Sequence, residues 1–315
     1  MKIEDILLPT QNPVIDAKNF DLEKWRREMP MDYLIAVRIL IESDNPVVKE
    51  EIFKRIVQIA NLHVPDILYK YIPLKDSPSS NEKRFDILRN KQLFLPTVAA
   101  LNDPYDCRAY YYNPEVLMKY DRLKSCGGRL IDDFSAFYRV ASLTANGVQS
   151  MPMWAHYANN HAGFCVSYDM YDKYNLTLKS CTFPVQYTEH RLDITSIMEA
   201  QAKMLLRELK VQSAAGTKEI KIKDLTMVYL PCLLCNIKHS SWSYENEYRC
   251  TTGVNASGMP YVDAKAKAIF VGSRCEKENV KRLCKIGETL GIPVYQMDFD
   301  ELAEEYQLSA KQLSV

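Results

Sequence analysis

The segment Met153–Asp169, MWAHYANNHAGFCVSYD, constrains this chain more than any other. Its first half brings Trp154, His156, Tyr157 and His161 together, and its second half runs Gly163-Phe-Cys-Val-Ser-Tyr-Asp169. A short apolar run of this kind, set off by a glycine, reads as a buried strand. The chain is thereby committed to a sheet, and an unusual density of aromatic and imidazole side chains stands at its entry.

The other elements follow from periodicity. ILYKYIPL, from Ile67, alternates and is rich in aromatics, as a strand is. RFDILRNKQLFLP reads as a helix into a strand, and CTFPVQYT as another strand. DITSIMEAQAKMLLRELKVQS and IKIKDLTMVYLPCLLCNIKHS read as long helices, the second with Pro231 as a kink. PEVLMKYDRLKSCGG reads as one helix from Pro114 to Gly127-Gly128. LNDPYD is a turn fixed by Asx hydrogen bonding and proline. MWAHYANN is too short to pack as a helix alone, and WSYENEYRCTTG reads as a strand entered through a turn. Near the end come strand AIFVG, a helix with Val280, Leu283, Cys284, Gly287 and Leu290 on one side, and strand IPVYQMDF. Gly291 and Pro293 stop that helix.

Residues 1–65 have a different texture. Leu34, Val37 and Ile41 form one stripe, and Val48, Ile52, Ile56 and Ile59 another. Asn45-Pro46 begins the second helix. The reading is an α-helical hairpin over 1–65, a cap or a homo-oligomer contact, followed by a mixed-sheet domain over 66–315. The fold class is α+β, and a chain starting at Asp66 is expected to stay soluble and melt cooperatively.

Composition narrows the function. The 315 residues hold 40 Lys plus Arg against 40 Asp plus Glu. A zero net charge exerts no long-range pull on nucleic acid or anionic lipid. No apolar run is long enough to span a bilayer, and the acidic, proline-broken N-terminus does not read as a secretion signal. The expected location is the cytoplasm, with no membrane partner. The nine cysteines lack framework spacing and read as reduced, small core residues. Phosphate-binding glycine loops, zincin helices and nucleophile elbows are all missing from the sequence. Cys232, Cys235 and His239 read as packing residues, not zinc ligands, because no second Cys pair completes a tetrahedral set. No metal is expected.

Two clusters carry the candidate chemistry. His156, between Trp154 and Tyr157, is either a general acid–base or a structural imidazole. In Trp242-Ser-Tyr-Glu245-Asn-Glu247-Tyr-Arg249, strand alternation puts Glu245, Glu247 and Arg249 on one face. They form a salt-bridged edge, or a carboxylate working on a sugar or nucleotide.

Leu68–Tyr71, Asn102–Asp106, Met153–Tyr157 with His161-Ala-Gly163, and Lys238–Arg249 together resemble the bacterial domain of unknown function 2971 family, from about Leu68 to the last strand. Members often carry a Cys-Phe-Ser in the strand that here reads Arg139-Val-Ala-Ser-Leu-Thr144. A second resemblance is to ADP-ribosyltransferase-like folds. It implies NAD as the cofactor, an acceptor that is nucleic acid or protein, and Glu247 as the catalytic carboxylate, with His156 and Glu245 beside it. Tyr69, Lys70, Tyr71, Trp154, Tyr157 and Arg249 would bind the cofactor. The first strand offers Lys70 and Tyr71 where those folds carry His or Arg. Two other readings stand beside it: a nuclease or phosphoesterase using His156, Asp103, Asp106 and Glu247, and a non-catalytic module holding a nucleotide or peptide.

Overall fold

The computed structural model describes residues 63–75, 78–129, 138–216, 234–253 and 260–314, with isolated positions between 40 and 54. Most of the hairpin expected over 1–65 lies outside the described residues. Within it, 47–52 are helical and the Asn45 side chain accepts from the Val47 N–H at 3.0 Å, the capping expected there.

Eight strands form one mixed sheet. They are β1 (Ile67–Ile72), β2 (Tyr138–Thr144), β3 (Phe164–Asp169), β4 (Thr182–Pro184), β5 (Glu247–Gly253), β6 (Ala266–Val271), β7 (Val294–Phe299) and β8 (Leu308–Ser314). Their order across the sheet is β8-β7-β6-β3-β1-β2-β5-β4. Only β6 and β7 run parallel, joined by the helix α4 (Lys277–Leu290); the other neighbours are antiparallel. The α+β class read from the sequence is the class observed.

Helix α1 (Pro78–Arg89) and α4 cover one face. Phe85 and Leu88 of α1 and Leu283 and Ile286 of α4 pack on Leu68, Leu143, Phe164, Val166 and Ile269. The opposite face receives α2 (Met151–Tyr157), which docks Met153 and Trp154 against Tyr71, Cys165 and Met297. Strand β3 is buried on both faces, as its apolar run requires. A separate core gathers around α3 (Thr195–Ala214), where Ile197 and Met198 meet Leu117, Ile237 and the hairpin residues Leu40 and Ile52.

Four readings are corrected. MWAHYANN does form a packed helix: α2 runs about two turns, held by the buried Trp154. Its exit explains the Asn-Asn-His that follows. Asn159, Asn160 and His161 all take positive φ (48°, 53° and 69°), which Asn tolerates best. The turn satisfies the last helical carbonyls, with the His161 N–H on Trp154 O and the Gly163 N–H on Ala158 O. Gly163 is required because a Cβ there would collide with the Ile72 carbonyl of β1. The single helix from Pro114 is two short ones, Pro114–Leu117 and Asp121–Lys124. Ile237–His239, read as helix, is a strand paired with Gln186–Thr188. Finally, WSYENEYRCTTG is a strand entered through a turn, as read, but Glu245 lies in the turn and not on the strand where alternation had placed it. Ser240–Glu245 is a 3₁₀ turn, Asn246 is left-handed, and β5 begins at Glu247.

Candidate functional site

The sheet opens between β1 and β2. These strands share one ladder pair, Tyr69 with Thr144, whereas β1 pairs with β3 along all six residues. Farther along, β2 is met instead by the segment before Val98, through Pro96 O with the Val140 N–H and the Thr97–Arg139 bridge. In the gap, the Lys70 ammonium donates to the Ser142 carbonyl at 2.8 Å, in place of a backbone N–H. A buried carbonyl without a partner is costly, so the lysine closes the ladder where the strand cannot. Strand alternation sets the Lys70 stem on the α1–α4 side with Leu68 and Ile72. Burial pushes its ammonium below the ordinary lysine range, against the opposing pull of Glu247.

This opening is a cavity of about 40 Å³ walled by Tyr69, Tyr71, Tyr157, Ser142, Thr144 and Asn102, with Lys238, Glu245 and Glu247 at one side. That is room for a few water-sized groups, or the end of a flat ring. The walls are fixed in place. The Tyr71 hydroxyl donates to Gly147 O at 2.6 Å, and its ring meets Trp154 edge-on at 5.0 Å. The Trp154 indole donates to Val148 O at 2.8 Å.

Behind the cavity lies a buried ionic network. Lys238 donates to Glu245 at 2.6 Å and to Glu247 at 3.2 Å. The Arg249 guanidinium grips Glu247 with Nε at 2.9 Å and Nη2 at 3.1 Å, reaches Cys235 O at 2.5 Å, and pairs with Asp106. Arg249 has 0 % exposure, so its charge depends on those carboxylates. Tyr187 accepts from the Glu247 N–H at 2.9 Å. The Tyr157 hydroxyl donates to Glu245, and Asn102 donates to that hydroxyl at 3.3 Å.

The two glutamates are driven apart. Burial raises the Glu245 carboxyl above the usual range, and the Glu247 charge adds to this, against the pull of Lys238. Burial acts the same way on Glu247, but Arg249 and Lys238 overcome it and hold the carboxyl at about 2. Burial also opposes the charge on Lys238, yet Glu247, Asp106 and Glu245 keep its ammonium above the ordinary range. Such a split pair is a recognised basis for separate acid–base roles.

The geometry gathers Tyr69, Lys70, Tyr71, Tyr157, Glu245 and Glu247 around the cavity, with Arg249 behind them. Glu247 and Arg249 share a strand face, as alternation predicts. Glu245 gets there differently: Asn246, at φ 44°, turns the chain so that both carboxylates meet Lys238. The turn is pinned by Thr144 Oγ1 on Glu245 O and Asn146 on Tyr244 O, each 2.6 Å.

Two expected residues stand elsewhere. Trp154 has 0 % exposure and supports the wall from behind, stacked on the His161 ring at 6.0 Å. His156 is exposed on the outer side of α2, 6.3 Å from the Tyr244 ring, and does not line the cavity. Asp103 lies across the 102–106 turn from Asp106, its side chain accepting from the Tyr105 N–H at 2.8 Å. Lys238 and Asp106 are central; Lys238 was no site candidate, and Asp106 entered only as a residue of the nuclease reading, not as a partner of Arg249. Ser142 and Thr144 were visible only as strand residues. Cys235 is buried and Cys232 lies outside the described residues. Among the described residues, no group of three or more His, Cys, Asp or Glu is arranged to hold a metal ion, and no helix is long and apolar enough to cross a membrane.

No curated protein and no solved structure matches the chain. Residues 153–250, which run from α2 through β5 and so carry Tyr157, Lys238, Glu245, Glu247 and Arg249, match the family described as Protein of unknown function (DUF2971).

Proposed function

We propose that the opening between β1 and β2 is the active site of an enzyme that breaks the nicotinamide–ribose bond of NAD and passes the ADP-ribosyl group to an acceptor. The observation that carries this reading is the pair Glu245 and Glu247, bridged by Lys238 at one side of a tyrosine-walled cavity.

The chemistry asks for three things. The flat nicotinamide must be held, positive charge on the ribose must be stabilised as the bond lengthens, and the acceptor must lose a proton. Tyr69, Tyr71 and Tyr157 provide flat walls, with Asn102 and Ser142 as polar partners. The cavity takes the ring end, and the rest of the dinucleotide lies across the mouth. The C1′–N bond breaks with its electron pair moving onto the nicotinamide ring. The acceptor then bonds to C1′ and its proton passes to Glu245.

The carboxylate roles differ from the sequence expectation. Glu247 is saturated by Arg249 and Lys238, so it acts as a fixed anion that positions both cations. Glu245 has fewer counter-charges, a carboxyl that burial and the Glu247 charge raise above the usual range, and Tyr157 to orient it. It is therefore the carboxylate assigned to the ribosyl cation.

The test is turnover of 1,N6-etheno-NAD, followed by fluorescence. Glu245→Gln keeps the shape and removes the charge. Activity should fall about 100-fold, the scale for losing one main electrostatic stabiliser, with little change in melting temperature. Full activity in Glu245→Gln, or no cleavage by the wild type, removes the reading.

A further inference from the structure

A second concavity lies on the far side of the 102–106 turn. Asn102 and Asp106 face the cavity between the strands, while Asp103 and Tyr105 face this groove, together with His190, Arg191, His239 and Trp242. Its volume is about 410 Å³. Lys238, on the wall of the cavity, has its ammonium bound by the glutamates and 4.7 Å above the ring of Trp242, which lines the groove.

From Trp242 a row of rings runs along the rim. Trp242 and Tyr244 are 6.2 Å apart between centroids, Tyr244 and His156 6.3 Å, and His156 and Tyr157 6.2 Å. The last of these, Tyr157, is hydrogen-bonded to Glu245. Tyr244 has 39 % of its surface exposed and Tyr105 57 %. The dense aromatic composition that drew attention to both sequence clusters is thus one continuous strip leading from the groove to the carboxylate. None of the core contacts explains the exposed members.

We infer that this strip binds the bases of a single-stranded nucleic acid, which is the acceptor for the proposed transfer. Every base has a flat face that stacks on such rings without regard to sequence. Arg191, whose Nε and Nη2 donate to the Arg108 and Tyr110 carbonyls while its guanidinium lies 5.9 Å over the Tyr105 ring, stands at the groove end with His190 and His239. The chain has no net charge, so stacking rather than phosphate neutralisation must provide the binding. A duplex keeps its bases stacked on one another and cannot use the strip. The choice of acceptor rests on the transferase reading; the binding itself does not.

The experiment titrates the full chain into a fluorescently labelled single-stranded octamer, read by anisotropy at several salt concentrations. Binding should have a shallow salt dependence, and a duplex of the same sequence should bind more weakly. Tyr244→Ala and Tyr105→Ala should each weaken it about tenfold, within the range for losing one stacked base. Tyr244→Phe, which keeps the ring, should restore it, and unchanged melting temperatures show that the variants are folded. No octamer binding, equal binding of duplex, binding indifferent to both alanine variants, or binding of AMP alone would overturn the inference. Glu245→Gln separates the two claims, since it should lower NAD cleavage about 100-fold and leave octamer binding intact. Octamer binding without NAD cleavage by the wild type would keep the strip and discard the transferase.

Discussion

The two halves of the sheet are built on different principles. From β1 through β3 to β6 the strands pair along most of their length, β7 adds three parallel pairs to β6, and α1 and α4 seal them with Phe85, Leu88, Leu283 and Ile286. Between β1 and β2 the ladder opens, and on the face of β5 that carries Glu247 and Arg249 buried charge takes the place of apolar packing: Lys238 and Arg249 against Asp106, Glu245 and Glu247. Apolar burial stabilises steadily with area. A buried ionic network contributes little net stability when complete, but removing one member is expensive. The first half therefore behaves as scaffold, and the second as an arrangement held for what it presents to the cavity.

The largest contrast should come from deleting one charge. Arg249→Met leaves Glu247 and Asp106 buried without their guanidinium and should cost about 3–5 kcal/mol. Restoring neutrality with Asp106→Leu and Glu247→Leu in the same chain should recover much of that loss, by the same principle. In the other half, Leu283→Ala should cost about 2–5 kcal/mol, and no charge change elsewhere should rescue it. Chemical denaturation of the four proteins checks this. A wild-type midpoint for Arg249→Met would erase the distinction between the halves.

Truncation should have a smaller effect. A chain beginning at Asp66 loses Leu40 and Ile52 from the core around α3, but the sheet and its two covering helices stay whole. It should melt cooperatively at a lower temperature. Aggregation would show instead that the N-terminal segment is part of the core and that 66–315 does not stand alone.

Acid titration sharpens the contrast within the network, because the two glutamates have opposite signs. Glu247 is held at about 2, below its ordinary 4.5. Its stabilisation is present above pH 4.5 and disappears as pH falls towards 2. Glu245 is raised, so its contribution is present below pH 4.5 and disappears as pH rises through its folded value. Glu247→Gln should lower stability at neutral pH and flatten the acid limb. Glu245→Gln should leave neutral-pH stability equal or higher. Melting curves from pH 2 to 8 decide between the signs, and the same sign for both would break the assignment of roles.

The smallest effect belongs to the turn. Asn246→Gly should be almost neutral, since glycine accepts a left-handed backbone freely. Asn246→Val should cost about 1–2 kcal/mol and separate Glu245 from Lys238, lowering NAD cleavage more than stability.

Much of the scaffold was legible in the sequence. The alternation in Ile67–Ile72, the apolar run Phe164–Asp169 and the 3.6-residue period of Val280, Leu283 and Gly287 are local patterns, and each became the element it implied. The site was legible in part. Glu247 and Arg249 fall two apart on a strand, so alternation brings them together. Glu245 joins them through a left-handed turn that the spacing concealed, and Lys238 arrives from another strand altogether. His156 and Trp154 show the reverse case. Their neighbours in sequence suggested a site, but a helix distributes its residues around an axis, so Trp154 points into the core and His156 outwards. The separation of β1 from β2 was out of reach, because it depends on where two strands far apart in sequence stop pairing.

That separation bears on how such a protein can diverge. Lys70 stands in for a backbone donor, so the opening is set by the course of two main chains and that one lysine, and not by the other residues lining it. Exchanging Tyr69, Ser142 or Asn102 alters the preference of the cavity while the cavity itself stays. A lineage built on this sheet can change what the cavity admits by point replacement and keep its architecture.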